Sequence, residues 1–206
     1  NAVIRHFAPL EAFPLARWDQ ALAVNVTAAF LAIQRVLPGM RERQWGRIFN
    51  LSSAYGSRAI ANRIDYVTTK TALLGLTRAV AVETQGQGIT CNAVCPGSVL
   101  TPNIESRLTA LMAEKQLDRQ TATVEFLHGK QATGRFIEAS HVADLIVYLC
   151  SESARSITGA TLPASIAGQT CSSKARRTRA LSATGRARRV LPMRRCRFMR
   201  RRPRSS

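Results

Sequence analysis

Apolar residues recur every three or four positions along residues 18–43, which is the spacing of one face of an α-helix. The stripe consists of Leu22, Val26, Phe30, Ile33 and Leu37. A second helix is predicted over residues 65–83, and Gly86 and Gly88 are expected to stop it. Its inward residues are Leu73, Leu76 and Val80. Both helices are therefore predicted to pack one apolar face against a core.

Short runs rich in β-branched and apolar residues flank the second helix. These are GRIFNLSS at residues 46–53 and ITCNAVC at residues 89–95, and both patterns predict strands. A strand, a helix and a strand of these lengths form a βαβ unit, which implies a parallel sheet. A last strand is predicted within residues 157–163. The fold class is therefore predicted to be α/β.

The pattern between and after these strands is mainly helical. Residues 104–136 are predicted to be helical in parts, and residues 139–152 form a further helix with Ser140 as a candidate N-cap. The hydrophobic periodicity stops beyond about Ala164. One domain is therefore predicted over residues 1–170.

The charge of the chain is concentrated at one end. The formal net charge is +18, yet all 12 acidic residues lie between Glu11 and Glu152. Residues 172–206 contain 13 arginines, one lysine and no acid, which leaves 16 basic and 12 acidic residues before them. The strong basicity therefore belongs to a separate tail, residues 171–206, which is expected to be disordered.

Cysteine usage and hydropathy favour a reducing compartment. The five cysteines are an odd number without paired spacing, which is atypical of a secreted disulfide framework. Cys91 and Cys95 lie in an apolar strand, where buried thiols are expected rather than metal ligands, so no metal site is predicted. No apolar run is judged long enough to span a bilayer, and no secretory signal opens the chain. A cytoplasmic protein without a membrane partner is expected.

The stretch DYVTTK places Tyr66 and Lys70 four residues apart, on one side of the predicted helix. A nearby ammonium favours the phenolate of a tyrosine that must give up a proton. A solvated helix face that carries both residues by chance is the alternative. The pair becomes chemically useful only if further polar groups meet it.

The predicted fold brings such groups together. In a parallel α/β sheet, ligands bind at the carboxyl ends of the strands. Ser52 and Ser53 end the first predicted strand, and the loop PGSVLTP, residues 96–102, follows the second. Successive strand side chains point to opposite faces, so only Ser53 is expected to face the loop.

Four features together resemble the short-chain dehydrogenase/reductase family. They are Asn25 in VNVTAAF, Ser53 in NLSSAYG, the Tyr66-Val-Thr-Thr-Lys70 sequence, and PGSVLTP. The resemblance covers residues 1 to about 163. It implies a Rossmann-like, doubly wound parallel sheet and hydride transfer between a nicotinamide coenzyme and a small hydroxy or keto substrate.

The resemblance also implies roles for single residues. Tyr66 is expected to act as general acid/base, and Lys70 to favour its phenolate and hold the nicotinamide ribose. Ser53 is expected to bind the substrate oxygen, and Asn25 to hold a water in a proton relay. For Asn25 the alternative is an asparagine that merely interrupts a helix stripe.

Cofactor and assembly follow from the same resemblance. The cofactor-binding residues are expected to be Asn1, Tyr66, Lys70, Pro96, Gly97 and Thr101. For Thr101, a turn role before Pro102 remains open. NAD is expected, with NADP not excluded, and a homotetramer built on residues 18–43 and 65–83 is the expected assembly.

Three phrases, APLEAFP, LPGMRERQWGRI and VETQGQGITCNAVCPGSVLTP, resemble within the family the branch that interconverts 3-hydroxybutyrate and acetoacetate. The substrate contacts are expected to be Arg5, Ser53, Tyr55, Arg63, Tyr66 and Ser98. That branch carries a glutamine, a histidine, a lysine and a tryptophan where this chain has Arg5, Tyr55, Arg63 and Ser98. A guanidinium can bind a carboxylate bidentately, so an anionic substrate is expected. Solvated loop arginines are the alternative.

The resemblance implies that the first βαβ unit of the family is not part of this chain. The family places a glycine-rich turn and a helix N-terminus at the coenzyme pyrophosphate, and no such glycine cluster occurs here. An incomplete sheet and an N-terminally truncated enzyme of doubtful activity are therefore expected. The residue that selects NAD or NADP would lie in the missing part.

Two explanations account for the arginine-rich tail. Arginine, alanine, serine, proline and cysteine are what a GC-rich gene encodes in a wrong reading frame, and this explanation is favoured. A genuine tail would instead bind nucleic acid through phosphates, on a catalytically dead fragment.

Overall fold

The structure is a computed structural model that describes residues 3–164 of the 206-residue chain. The described residues belong to the unit Asn1–Thr170. Asn1, a predicted cofactor contact, lies outside the described residues. So does the basic tail, residues 171–206.

Three parallel strands form the sheet in the described residues. They are β1 (Gly46–Leu51), β2 (Ile89–Cys95) and β3 (Thr161–Pro163), in the order β1-β2-β3. Gly46 is opposite Ile89, and Ala93 is opposite Thr161. The predicted parallel sheet is confirmed, with a last strand shorter than expected.

Six α-helices occur between residues 3 and 164. They are α1 (Leu15–Leu22), α2 (Ala28–Glu42), α3 (Ile64–Glu83), α4 (Pro102–Lys115), α5 (Arg119–Leu127) and α6 (Ala139–Cys150). A π-helical turn, Ala23–Thr27, joins α1 to α2. Short 3-10 turns lie at Leu10–Ala12, Ala54–Gly56 and Glu152–Ala154.

The helices cover both faces of the sheet. Every residue of β2 is buried, as expected for a central parallel strand. One face packs on α2 and α3 through Ile33, Ile48, Val80, Ala81, Ile89 and Cys91. The other face packs on α6 through Val94, Leu149 and Ala154. The result is the helix–sheet–helix layering of a Rossmann-like fold.

The apolar stripe of residues 18–43 is only partly buried, which corrects the prediction. Ile33 is 7% exposed, but Phe30 is 47% exposed. The π turn Ala23–Thr27 adds a residue to one helical turn, which rotates the following residues by about 100° relative to those before it. A constant spacing of three or four therefore does not mark one face across this turn.

Two local predictions about element ends have different outcomes. Ser140 does not cap α6, because the N-cap is Glu138 and it makes no side-chain cap hydrogen bond. Gly86 and Gly88 do end the segment after α3, and both have positive φ. A Cβ at Gly88 would stand 1.9 Å from the carbonyl oxygen of Gln44, so only glycine fits this turn.

One helix in the described residues passes a length and composition test for a membrane span, contrary to expectation. It is the continuous helical stretch Leu15–Glu42, and 17% of its most apolar 18-residue segment is buried. The core helix of a soluble protein or a signal sequence can be as long and apolar, and Ile33 of this stretch lies in the core on the sheet. The feature is therefore weak support for a membrane segment.

Candidate active site

A cavity of about 420 Å³ opens at the carboxyl ends of β1 and β2. Ser53 follows β1, Tyr66 lies in the first turn of α3, and Pro96 follows β2, and all three line it. Predicted site residues that also line it are Arg5, Tyr55, Arg63, Gly97, Ser98 and Thr101. Residues from segments far apart in the sequence therefore face one space.

The two serines after β1 face different partners. Ser52 is buried and donates its hydroxyl to the carbonyl oxygen of Lys70 at 2.7 Å. Ser53 lines the cavity, and its Oγ accepts a hydrogen bond from the backbone N–H of Tyr55 at 3.2 Å. The Ser53 hydroxyl keeps its own proton available for donation.

Lys70 lies behind Tyr66, seen from the cavity. Its Nζ is 5.8 Å from the centre of the Tyr66 ring and donates to the carbonyl oxygen of Leu51 at 2.6 Å. Burial lowers the pKa of Lys70, because desolvation disfavours the ammonium. One turn of helix thus places a desolvated cation beside a phenol that reaches the cavity.

Asn25 ties the N-terminal segment to the helices. It is buried in the π turn, where its side chain accepts from the N–H of Ile4 at 2.9 Å and donates to the carbonyl oxygen of Ile4 at 2.8 Å. It also donates to Oγ1 of Thr69 at 3.1 Å. Both donors of the amide are therefore used within the protein, which leaves Asn25 a single acceptor lone pair on its side chain.

Asp65 is a second residue that holds the N-terminal segment against α3, and sequence reasoning missed it. Its side chain is completely buried and accepts from the backbone N–H of His6 at 2.8 Å and of Tyr66 at 2.6 Å. An acid in the first turn of a helix is the signal that could have found it, since a helix N-terminus favours a carboxylate. Asp65 fixes residue 6 directly beside Tyr66.

The loop after β2 is held by hydrogen bonds at several points. The carbonyl oxygen of Pro96 accepts from the N–H of Ala54 at 3.0 Å. The N–H of Ser98 donates to Oε1 of Gln131 at 2.8 Å. Thr101 caps α4, and its Oγ1 accepts from the N–H of Ile104 at 3.4 Å. A turn role for Thr101 is thus present, while its hydroxyl proton stays available.

Positive charge surrounds the cavity more fully than the sequence indicated. Its cationic lining residues are Arg5, Arg58, Arg63, Arg107 and Lys130. Burial lowers the pKa of Arg63, and the charges of Arg5 and Arg107 lower it further. Burial lowers the pKa of Lys130, followed by the charges of Arg107 and Arg63. Arg107 and Lys130 come from α4 and the segment after α5, for which the sequence pattern offered no signal.

The cysteines of β2 are buried free thiols. Burial raises the pKa of Cys91 to about 12 and also raises the pKa of Cys95. Within residues 3–164, no group of three His, Cys, Asp or Glu side chains is arranged to hold a metal. The cavity therefore offers hydroxyls, a phenol and cations as its reactive groups.

Comparisons with known proteins agree with this architecture. A family model described as enoyl-(acyl carrier protein) reductase matches residues 1–165. The D-beta-hydroxybutyrate dehydrogenase of Cupriavidus necator is 40% identical over 160 residues, which are 78% of this chain and 62% of that protein. The chain thus spans less than two thirds of the length of the curated relatives it matches.

Solved structures share the fold at similar coverage. A 4-hydroxyisoleucine dehydrogenase variant complexed with NADH and succinate superposes with a TM-score of 0.70 and 28% identity, covering 82% of this chain and 66% of that one. A variant actinorhodin polyketide ketoreductase with NADPH also has a TM-score of 0.70, with 29% identity, covering 79% and 63%. On the family match and these likenesses, the chain belongs to the short-chain dehydrogenase/reductase family of oxidoreductases.

Proposed function

We propose that this chain carries the catalytic part of a nicotinamide-dependent oxidoreductase. The reaction is hydride transfer between the coenzyme and a small hydroxy or keto acid of the 3-hydroxybutyrate/acetoacetate type. The similarity to the C. necator dehydrogenase supports the substrate class. The cavity at the carboxyl ends of β1 and β2 supports the chemistry.

One observation carries the proposal: Ser53 and Tyr66 line the same cavity while Lys70 stands behind the phenol. A substrate oxygen between the two hydroxyls would receive a hydrogen bond from Ser53. Tyr66 would give that oxygen a proton during reduction and take it back during oxidation. The ammonium of Lys70 stabilises the phenolate that remains after proton donation.

The polar groups near Tyr66 fit the nicotinamide end of a dinucleotide. Lys70 has three donors and uses one on the carbonyl oxygen of Leu51, which leaves two for ribose hydroxyls. Thr101 keeps a hydroxyl proton for an amide oxygen, beside Pro96 and Gly97 of the same loop. When bound, the coenzyme supplies the hydride acceptor or donor. We propose NAD, while NADP remains open.

Asn25 has a positioning role and a relay role in this proposal. Its amide holds Ile4, so the segment that carries Arg5 is fixed against the π turn Ala23–Thr27. The remaining acceptors of Asn25 are one side-chain lone pair and its main-chain carbonyl oxygen. A water on either acceptor would connect Lys70 to bulk solvent.

Arg63 and Arg5 give the substrate site its proposed affinity for a carboxylate. The Arg63 guanidinium stacks on Phe7 at 4.0 Å and lies 5.9 Å from the Tyr66 ring. An acid bound there would present its hydroxyl or keto carbon toward Tyr66. Tyr55, whose ring centre lies 6.4 Å from that of Tyr66, and Ser98 would also shape the pocket.

We propose a homo-oligomer in the cytoplasm as the working form. Phe30, Leu31 and Val36 on α2 are 47%, 52% and 45% exposed in the single chain. A second copy of the chain on this surface would remove that apolar area from water, which favours association.

The test is a Tyr66→Phe substitution in a chain joined to the N-terminal residues of the C. necator relative. Loss of the proton carrier should lower kcat by about 10²–10⁴-fold, since general acid/base catalysis contributes about that much. Oxidation of 3-hydroxybutyrate, followed by NADH absorbance, is the measurement, with circular dichroism as a check on folding. Activity within threefold of the parent would show that another group moves the proton.

A further inference from the structure

The cationic residues of the cavity greatly exceed what a single carboxylate needs. Five of the residues that line the cavity are arginine or lysine, and no lining residue is aspartate or glutamate. Three ion pairs occur in the part of the chain that the structure describes: Lys115–Glu125, Arg119–Glu105 and Arg155–Glu152. None of these involves a cavity residue. The charges of Arg5, Arg63, Arg107 and Lys130 are therefore not balanced by ion pairs within the described residues.

The cations form two groups that come from different segments. Arg63 lies over Phe7 and near Tyr66, on the side where the proposed reaction takes place. Arg107 and Lys130 share the ring of Phe126, at 5.3 Å and 4.1 Å from its centre. The second group thus belongs to α4, α5 and the segment after α5, whereas Arg63 precedes α3, and the charges of the two groups still influence each other.

Two like charges on one ring repel each other, and the repulsion is largest where water is excluded. Lys130 is half-buried, and its pKa is lowered first by burial and then by the charges of Arg107 and Arg63. One Lys130 donor goes to the carbonyl oxygen of Phe126 at 2.5 Å, which leaves two. Arg107 is exposed on the same side and has the five donors of a guanidinium. The pair is arranged to accept an anion from solution.

We infer that the site takes a hydroxy or keto acid with two anionic groups, one bound at Arg63 and the other at Arg107 and Lys130. This inference rests on the proposed function, which requires only the first anionic group. The cavity volume of about 420 Å³ lies within the range of small-ligand sites, about 300–1,000 Å³. The preferred substrate is therefore a hydroxy or keto acid with a second carboxylate or a phosphate, which binds more tightly than the monocarboxylate 3-hydroxybutyrate of the proposed reaction.

Binding of succinate and butyrate to the purified 206-residue chain tests the inference. The two acids share a four-carbon chain and differ in one carboxylate, and neither carries a hydroxyl that could be oxidised. Ligand-observed NMR titrations at matched ionic strength should give a Kd for succinate at least tenfold lower than that for butyrate. Arg107→Gln and Lys130→Met should each remove most of the tenfold difference between the Kd values of the two acids. Arg107→Lys should keep part of that difference.

Arg155→Gln is the matched control, since Arg155 is exposed, pairs with Glu152 and lies outside the cavity. Anion binding to the arginines of residues 172–206 would be the same in all these variants. A difference in affinity between two variants therefore reflects binding in the cavity. Equal affinity for both acids, or equal succinate binding by Arg107→Gln and Arg155→Gln, would overturn the inference. So would tenfold weaker binding of ADP-ribose to Arg107→Gln, because that result assigns the cations to the coenzyme.

Failure here is distinguishable from failure of the proposed function. The titrations use no coenzyme and involve no turnover, so they can fail while the Tyr66→Phe result holds. Conversely, a dianion preference can persist in a chain that transfers no hydride. If a variant no longer prefers succinate over butyrate, its circular dichroism shows whether the variant is still folded and has lost only the binding site.

Discussion

Two groups of polar residues, one behind the cavity lining and one within it, use their side chains in opposite ways. The hydrogen-bonded side consists of Asn25, Ser52, Asp65 and Lys70, all buried and all bonded within the protein. The cationic side consists of Arg5, Arg63, Arg107 and Lys130, which come from loops and helix surfaces. The first side uses its bonding capacity to hold Tyr66 in place, and the second keeps its capacity for a ligand.

The difference follows from the cost of burying polar groups. A buried donor or acceptor without a partner costs about 1–3 kcal/mol, so buried side chains must find partners inside the protein. Partly exposed cations avoid this cost because water solvates them until an anion arrives. We therefore expect substitutions on the hydrogen-bonded side to affect chemistry and folding, and those on the cationic side to affect ligand affinity.

The largest expected effect is that of Lys70→Met in the chain joined to the N-terminal residues of the C. necator relative. The substitution removes the charge beside Tyr66, and electrostatic stabilisation of this kind contributes about 10²–10³-fold to kcat. Arg63→Met should instead raise KM about tenfold with a small change in kcat. Steady-state kinetics with 3-hydroxybutyrate separates the two outcomes. If Arg63→Met lowers kcat as much as Lys70→Met, the two sides do not differ as argued.

Coenzyme binding by the 206-residue chain gives the next effect. The residues near Tyr66 address the nicotinamide end, and the sequence contains no glycine-rich turn for a pyrophosphate. We expect a Kd for NADH at least about 100-fold weaker than micromolar, which is a loss of about 2.7 kcal/mol. Isothermal titration calorimetry is the measurement. Micromolar binding would mean that the two sides of the cavity suffice for the coenzyme.

Asn25→Ala should give the smallest of the three effects, and it concerns stability. The substitution leaves the N–H and carbonyl oxygen of Ile4 without their side-chain partner, at a cost of about 1–3 kcal/mol. Urea unfolding followed by circular dichroism measures the change in free energy of unfolding. Ser140→Ala is the control, since Ser140 is exposed and does not cap α6, so a change within about 0.5 kcal/mol is expected. An equal change in both variants would remove the structural role assigned to Asn25.

Sequence reasoning reached the parallel sheet and the neighbouring Tyr66 and Lys70 because local spacing determines them, but it missed the hydrogen bonds of Asp65. The segment ITCNAVC was predicted as a strand over the residues where β2 occurs, because a short run rich in β-branched and apolar residues favours a strand. Tyr66 and Lys70 are placed together by four residues of helix, and Ser53 meets them because the carboxyl ends of parallel strands share one edge. These relations depend on short segments, which a single sequence reveals.

The cationic side could not be predicted in full because it depends on long-range packing. Arg107 and Lys130 lie 23 residues apart and meet only because both pack on Phe126. Their positions follow from the crossing of α4 and α5, which no spacing in the sequence specifies. The exposure of Phe30 escaped prediction for a local reason, since a π turn leaves no clear signal in a hydrophobic pattern.

The π turn Ala23–Thr27 also limits how the gene for this protein can change in length. Deleting one codon there would restore a regular helix and turn everything after it by about 100°. This single deletion would break the hydrogen bond between Asn25 and Ile4, and it would also move Ile33 out of the core against β1. Substitutions in α2 can be accepted one at a time, whereas an insertion or deletion changes the site and the core together. Natural variation in this helix is therefore expected in composition and not in length.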